Sequence, residues 1–224
     1  MLDSLRWLAL EVKYLDRARD FYTTRLDLPV ERESDTEVAL GAGETELILR
    51  RPTRVPRGGL HTHYAFSAPA EEYDGWWDRL EDLDPDEHVF GSSRSLYVDD
   101  PDDHCVEIGE VGGGSGITGI FEVVLEVADL DRAEDFYADL GFEATDRGSD
   151  RRRIRLAGPM DLELWEPQLG LADARGGVHV DLGFGTPDPE GAADRVADRA
   201  CAVESLEDGV RVLDPDGHYL TFEG

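Results

Sequence analysis

The sequence predicts an α+β fold assembled from four βαβββ units, with curved mixed sheets enclosing a cavity. Three observations carry this prediction. YLDRARDFY (14–22) recurs as DLDRAEDFY (129–137), each copy following an alternating apolar run. GGLHTHYAFSAPAEEYDGWWDRL (58–80) recurs, two residues shorter, as GGVHVDLGFGTPDPEGAADRV (176–196). LYVDDPDDHCVEIGE (96–110) returns as RVLDPDGHYLTFEG (211–224). Self-similarity of this kind marks a structural unit used several times over.

The elements follow in order. LRWLALEV (5–12) alternates as a strand, with Leu8, Leu10 and Val12 toward the helices and Trp7, Ala9 and Glu11 toward the concave side. The helix after it starts near Asp16 and carries Phe21 on its apolar face, and LDLPVER and LILRRP supply further strands. In the second unit HTHYAFSAP puts Tyr64 and Phe66 outward and His61, His63, Ala65 and Ser67 inward. DGWWDRL (74–80) is helical, so at least one of Trp76 and Trp77 belongs to the core. CVEIG turns Glu107 inward. GGGSG (112–116) reads as a flexible linker, dividing the chain into halves at 1–111 and 117–224, each of two units. In the third unit Glu122, Val124 and Glu126 face in, a helix starts near Asp131 with Phe136 apolar, and DLELW turns Glu163 inward. The fourth offers His179, Asp181 and Gly183. Asp-Pro-Asp is a turn signature, and His104 and His218 just after it read as turn capping, with His88 on a surface loop.

Composition excludes some functions. The 51 acidic against 22 basic residues, with Lys13 the sole lysine, give a net charge of -29. Nucleic acid and anionic membranes both need a basic footprint, so neither is an expected partner. The acids are spread through every segment, as suits a cytoplasmic protein of a halophile that stays hydrated in concentrated salt. No basic segment followed by an apolar one opens the chain, and no apolar run is long enough to span a bilayer. Cys105 and Cys201 are too few for a disulfide framework and read as small buried side chains.

The two DRAxDFY helices, the LGF after the second, and DPDGHYLTF with its partner DPDDHCVEI make the chain resemble the vicinal oxygen chelate superfamily over its whole length. That superfamily includes glyoxalase I, the bleomycin-resistance proteins and the extradiol dioxygenases. The resemblance implies two glyoxalase-like domains, with metal ligands from the first and last strand of each unit in a pair. Carried over, those positions are Trp7 and Ile48 (with Glu46 competing), His63 and Glu107, Glu122 and Glu163, and Asp181 and Thr221. Units pair either one-with-two and three-with-four, or two-with-three and one-with-four. Only the second arrangement gathers His63, Glu107, Glu122 and Glu163 into one four-ligand shell, and it is the pairing expected here.

One imidazole and three carboxylates suit a hard divalent ion, Fe²⁺ or Mn²⁺, alternatively Ni²⁺ or Zn²⁺, with positions left for a substrate bearing vicinal oxygens. The four-unit chain looks like a two-domain catechol 2,3-dioxygenase, although Glu122 stands where that family's second histidine is expected. A glyoxalase I-like lyase or epimerase is the alternative, with Glu163 or Glu107 as the proton-moving carboxylate. A non-catalytic small-molecule binder of the bleomycin-resistance type is the third reading. The expected assembly is a monomer or homodimer.

Overall fold

Among the described residues, sixteen strands and four α-helices follow the predicted order. In this computed structural model residues 1–52, 61–149, 152–167 and 180–224 are described. The first unit comprises β1 (Ser4–Glu11), α1 (Leu15–Arg25), β2 (Val30–Glu33), β3 (Glu37–Ala42) and β4 (Thr45–Arg50). The second comprises β5 (His61–Ala68), α2 (Tyr73–Leu80), β6 (Asp86–Phe90), β7 (Ser93–Asp99) and β8 (Cys105–Glu110). The third comprises β9 (Gly119–Glu126), α3 (Leu130–Asp139), β10 (Glu143–Arg147), β11 (Arg153–Ala157) and β12 (Asp161–Trp165). The fourth comprises β13 (Val180–Gly185), α4 (Pro189–Val196), β14 (Ala202–Ser205), β15 (Gly209–Leu213) and β16 (Tyr219–Glu223). Among the described residues no helix is long and apolar enough to cross a membrane.

The strands form two eight-stranded sheets, β14-β15-β16-β13-β1-β4-β3-β2 and β10-β11-β12-β9-β5-β8-β7-β6. The first joins units one and four, and the second joins units two and three. Each sheet therefore takes one unit from either side of the 112–116 linker. The short connection explains why. β8 lies parallel to β5 and β9 antiparallel to it, so the end of β8 and the start of β9 meet at the same end of β5. Residues 111–118 step across that one strand, tied to it by the Val111 amide on Ala68 O and the Thr118 amide on Ser67 O. The glycines are held as well: Glu72 accepts hydrogen bonds from the Ser115 hydroxyl and the Gly116 amide.

Alternation places the core as expected. Leu8, Leu10, Tyr64, Phe66, Val123, Leu125, Leu182 and Phe184 pack with the helices, along with Phe21, Phe136 and Trp76. Trp77 is the exposed member of its pair. Some local expectations need correction. Asp129 caps α3 by accepting from the Arg132 amide, and Tyr14 precedes α1, so neither Asp131 nor Asp16 is the cap. His88 lies in β6 and not in a loop. Cys105 is only partly buried and Cys201 is exposed, because each follows a turn at a strand start where one side meets solvent.

The repeated motifs meet in buried polar contacts. The Tyr22 hydroxyl donates to Asp100 Oδ2 at 2.7 Å and also contacts the Tyr64 hydroxyl, while His104 Nδ1 lies 2.8 Å from the same carboxylate. The other Asp100 oxygen accepts the amides of Asp102 and His104. The second half repeats this: Tyr137 donates to Asp214 Oδ2 at 2.9 Å, and Asp214 Oδ1 accepts from Asp216 and His218. Thus the carboxylate before each Pro caps the turn by accepting from the histidine amide, and the histidine is not itself the cap. These contacts tie unit one to two and unit three to four, while the sheets tie two to three and four to one. The molecule closes as a ring of four units.

Candidate metal centre

Register makes the four units equivalent on the concave faces. In each, the inward residue of the closing strand pairs with the residue two past the inward ligand position of the opening strand. These pairs are Ile48 with Ala9, Glu107 with Ala65, Glu163 with Val124, and Thr221 with Gly183. That equivalence places Ile48, and not Glu46, at the fourth position of the first unit. Glu46 instead pairs with Arg32 at 2.7 Å. Across the seam of the second sheet Ala65 stands opposite Glu122 and His63 opposite Val124, so His63 and Glu122 are diagonal neighbours.

Three side chains converge there. His63 Nε2 lies 3.2 Å from Glu107 Oε2 and 3.4 Å from Glu122 Oε1. One ligand atom from each of the three falls within 4.8 Å of the others, which is a spacing a single ion bridges. All three are buried, at 9%, 3% and 5% exposure. Burial acts to lower the His63 imidazole, but hydrogen bonds and charge from Glu107 and Glu122 outweigh it and push it up to about 9. Burial acts to raise Glu107, and His63 with the Ser95 and Tyr97 hydroxyls overcomes it, holding that carboxyl below its ordinary value. Burial prevails at Glu122, which is raised despite His63 and Arg155, with the nearby Glu163 charge adding to the effect. Without metal, an imidazolium thus sits where a cation would.

Glu163 shares the face but has other partners. Its Oε1 lies 3.1 Å from Arg153 Nη1 and 3.2 Å from Arg155 Nη1, and its Oε2 accepts from Trp165 Nε1 at 2.8 Å. Arg155 Nη2 also lies 2.6 Å from both Glu122 Oε2 and Asp161 Oδ2. The rings of Tyr97 and Trp165 flank His63 edge-on, with centroids 5.5 and 6.0 Å away. Ser95, Tyr97 and Arg155 escaped the sequence reading as members of the site. The period-two alternation of β7 and β11 carries the signal, since Leu96, Val98, Ile154 and Leu156 all face the helices. The side chain of His61, and His179 altogether, lie outside the described residues.

The equivalent positions of the first sheet hold no such cluster among the described residues. Asp181 accepts from Thr221 Oγ1 at 2.9 Å and pairs with Arg50 at 3.1 Å and Arg211 at 3.3 Å. Trp7, Ala9, Ala39 and Ile48 form a small apolar cluster beside it. A Cβ on Gly183 would fall 2.0 Å from the Trp7 indole, so glycine there admits the ring that fills this face.

Residues 4–108 match the family model of the Glyoxalase/Bleomycin resistance protein/Dioxygenase superfamily. A candidate dioxygenase of Bacillus subtilis superposes with a TM-score of 0.76 over 99% of this chain and 86% of its own, at 18% identity. The fold is glyoxalase-like. Glyoxalase I from Zea mays superposes with a TM-score of 0.72 over 98% of this chain and 92% of its own, also at 18% identity. Likeness at this identity is one of fold, and superfamily members built on it perform different chemistry. No curated protein matches the sequence. The family match stays within the first half, whereas the candidate centre draws on both sides of the linker, through His63 and Glu107 before it and Glu122 after it.

Proposed function

We propose that the protein is a metal-dependent enzyme acting on a small molecule with two adjacent oxygens, and that its reaction is extradiol cleavage of an aromatic diol. The observation that carries this reading is the convergence of His63, Glu107 and Glu122, with only those three donors gathered among the described residues. One nitrogen and two carboxylate oxygens fit Fe²⁺ or Mn²⁺, and a three-residue set leaves one side of the coordination sphere to the substrate. A bound ion would supply Lewis acidity to two adjacent substrate oxygens. His63 must shed its proton to become a donor, and Glu107 and Glu122 then hold their charge toward the ion instead of the imidazolium. Tyr97 and Trp165 bound the site with ring faces and edges that suit a planar aromatic substrate. Tyr97 is pushed up by burial and by Glu107, so its phenol keeps its proton as a hydrogen-bond donor at neutral pH.

A second reading has a specific observation in its favour. Glu122 stands where a second imidazole would complete the two-histidine, one-carboxylate triad of non-haem iron oxygenases. A carboxylate raised by burial suits proton transfer at a carbon next to a carbonyl, as in a glyoxalase-type lyase or an epimerase. Metal analysis of the purified protein and oxygen uptake with catechol decide between them. Uptake that requires Fe²⁺ or Mn²⁺ and disappears in Glu107→Gln supports ring cleavage. Metal bound without uptake, together with turnover of a hemithioacetal, supports proton transfer, and a metal-free protein with no metal-dependent rise in Tm sinks both.

A further inference from the structure

We propose that Arg155, aided by Arg153, makes this a three-residue centre by keeping Glu163 off the metal; the inference rests on the metal-centre reading above. The argument comes from comparing the two sides of the seam. Glu107 and Glu163 occupy equivalent places, each pairing with the residue two past the ligand position of its opening strand. Their neighbours on the next strand are equivalent as well: Tyr97 pairs with Glu107 and Arg155 with Glu163, while Ser95 and Arg153 each stand two residues earlier. Backbone placement therefore gives both glutamates the same access to the centre, and the neighbouring side chains make the difference.

On the second unit's side those neighbours are hydroxyls. Ser95 and Tyr97 hydrogen-bond Glu107 without neutralising it, and its charge remains directed at His63. On the third unit's side they are guanidiniums. Arg153 and Arg155 contact one Glu163 oxygen at 3.1 and 3.2 Å, and Trp165 engages the other at 2.8 Å. Both Glu163 oxygens are engaged, and at 6% exposure the pairs are poorly screened by solvent. Arg155 additionally reaches Glu122 at 2.6 Å, offsetting part of the negative charge that would otherwise reduce the ion's Lewis acidity. Arg155 is thus a positioning residue, setting ligand number and charge without being a ligand.

Titration of the metal-free protein with Mn²⁺, followed by electron paramagnetic resonance, tests this without recourse to activity. Glu107→Gln should weaken binding about 100-fold, whereas Glu163→Gln should change it by no more than about 2-fold. Arg155→Met should tighten binding about 10-fold and alter the Mn²⁺ spectrum as Glu163 joins, and most of that gain should vanish in Arg155→Met/Glu163→Gln. Equal losses in Glu107→Gln and Glu163→Gln would make Glu163 a ligand and overturn the inference. So would a gain in Arg155→Met that survives in the double variant, because the effect would then be one of charge alone. Should Arg155→Met not fold, the Glu107→Gln and Glu163→Gln pair still decides. Failure of the wild-type protein to bind Mn²⁺ overturns the metal-centre reading and this inference with it, whereas an unchanged affinity in Arg155→Met overturns this inference alone.

Discussion

His63 gathers the buried charges of Glu107 and Glu122 at a single side chain. Two buried glutamates hold its imidazole protonated up to about pH 9, against an ordinary value of 6.5. A folded-state value above the unfolded one stabilises the protein fully below about pH 6.5, and that stabilisation is lost as pH rises through about 9. The metal-free protein should therefore show a falling urea midpoint between pH 6.5 and 10. In His63→Gln this component of the fall should be missing, which paired urea titrations at both pH values will reveal. The position of His63 was readable from strand alternation, as were those of Glu107, Glu122 and Glu163. Which of the four would touch was not readable, because that depends on side chains from β7 and β11 arriving beside them.

At the scale of elements, the DFY and DPD motifs have a shared purpose that neither shows alone. The helix tyrosine and the turn aspartate form one buried hydrogen bond in each half, so each motif is the other's partner. Tyr22→Phe leaves the Asp100 carboxylate short of a donor in a dry site and should cost about 1–3 kcal/mol in urea unfolding. Tyr137→Phe should cost an amount in the same range. If either variant unfolds at the wild-type midpoint, the motif has no such bond in solution. Sequence periodicity identified these elements and their inward faces, but placed the caps of α1 and α3 two residues late and read β6 as loop. The start of α3 depends on the Asp129 side chain reaching a free amide, whereas no side chain caps α1, and edge strands depend on a neighbour's backbone, so pattern alone does not fix them.

Over the whole molecule, a charge of -29 opposes compaction through self-repulsion. Raising KCl from about 0.1 M to 1 M shortens the screening length from about 10 Å to about 3 Å, so Tm should rise across that range. A Tm that is flat or falls would mean that the exposed ion pairs, which salt weakens, outweigh the repulsion. By itself the sequence determined the four βαβββ units, the inward face of the opening strands, and the residue types available at each candidate ligand position. Those properties follow from local periodicity and residue type, which act over a few residues. Only the tertiary structure decided that units two and three share a sheet, that the first sheet's equivalent positions are filled by Trp7 and bridged by arginines, and that Glu163 is engaged by Arg153 and Arg155. These outcomes depend on groups far apart in the chain competing for the same space and charge, and no local pattern encodes the winner.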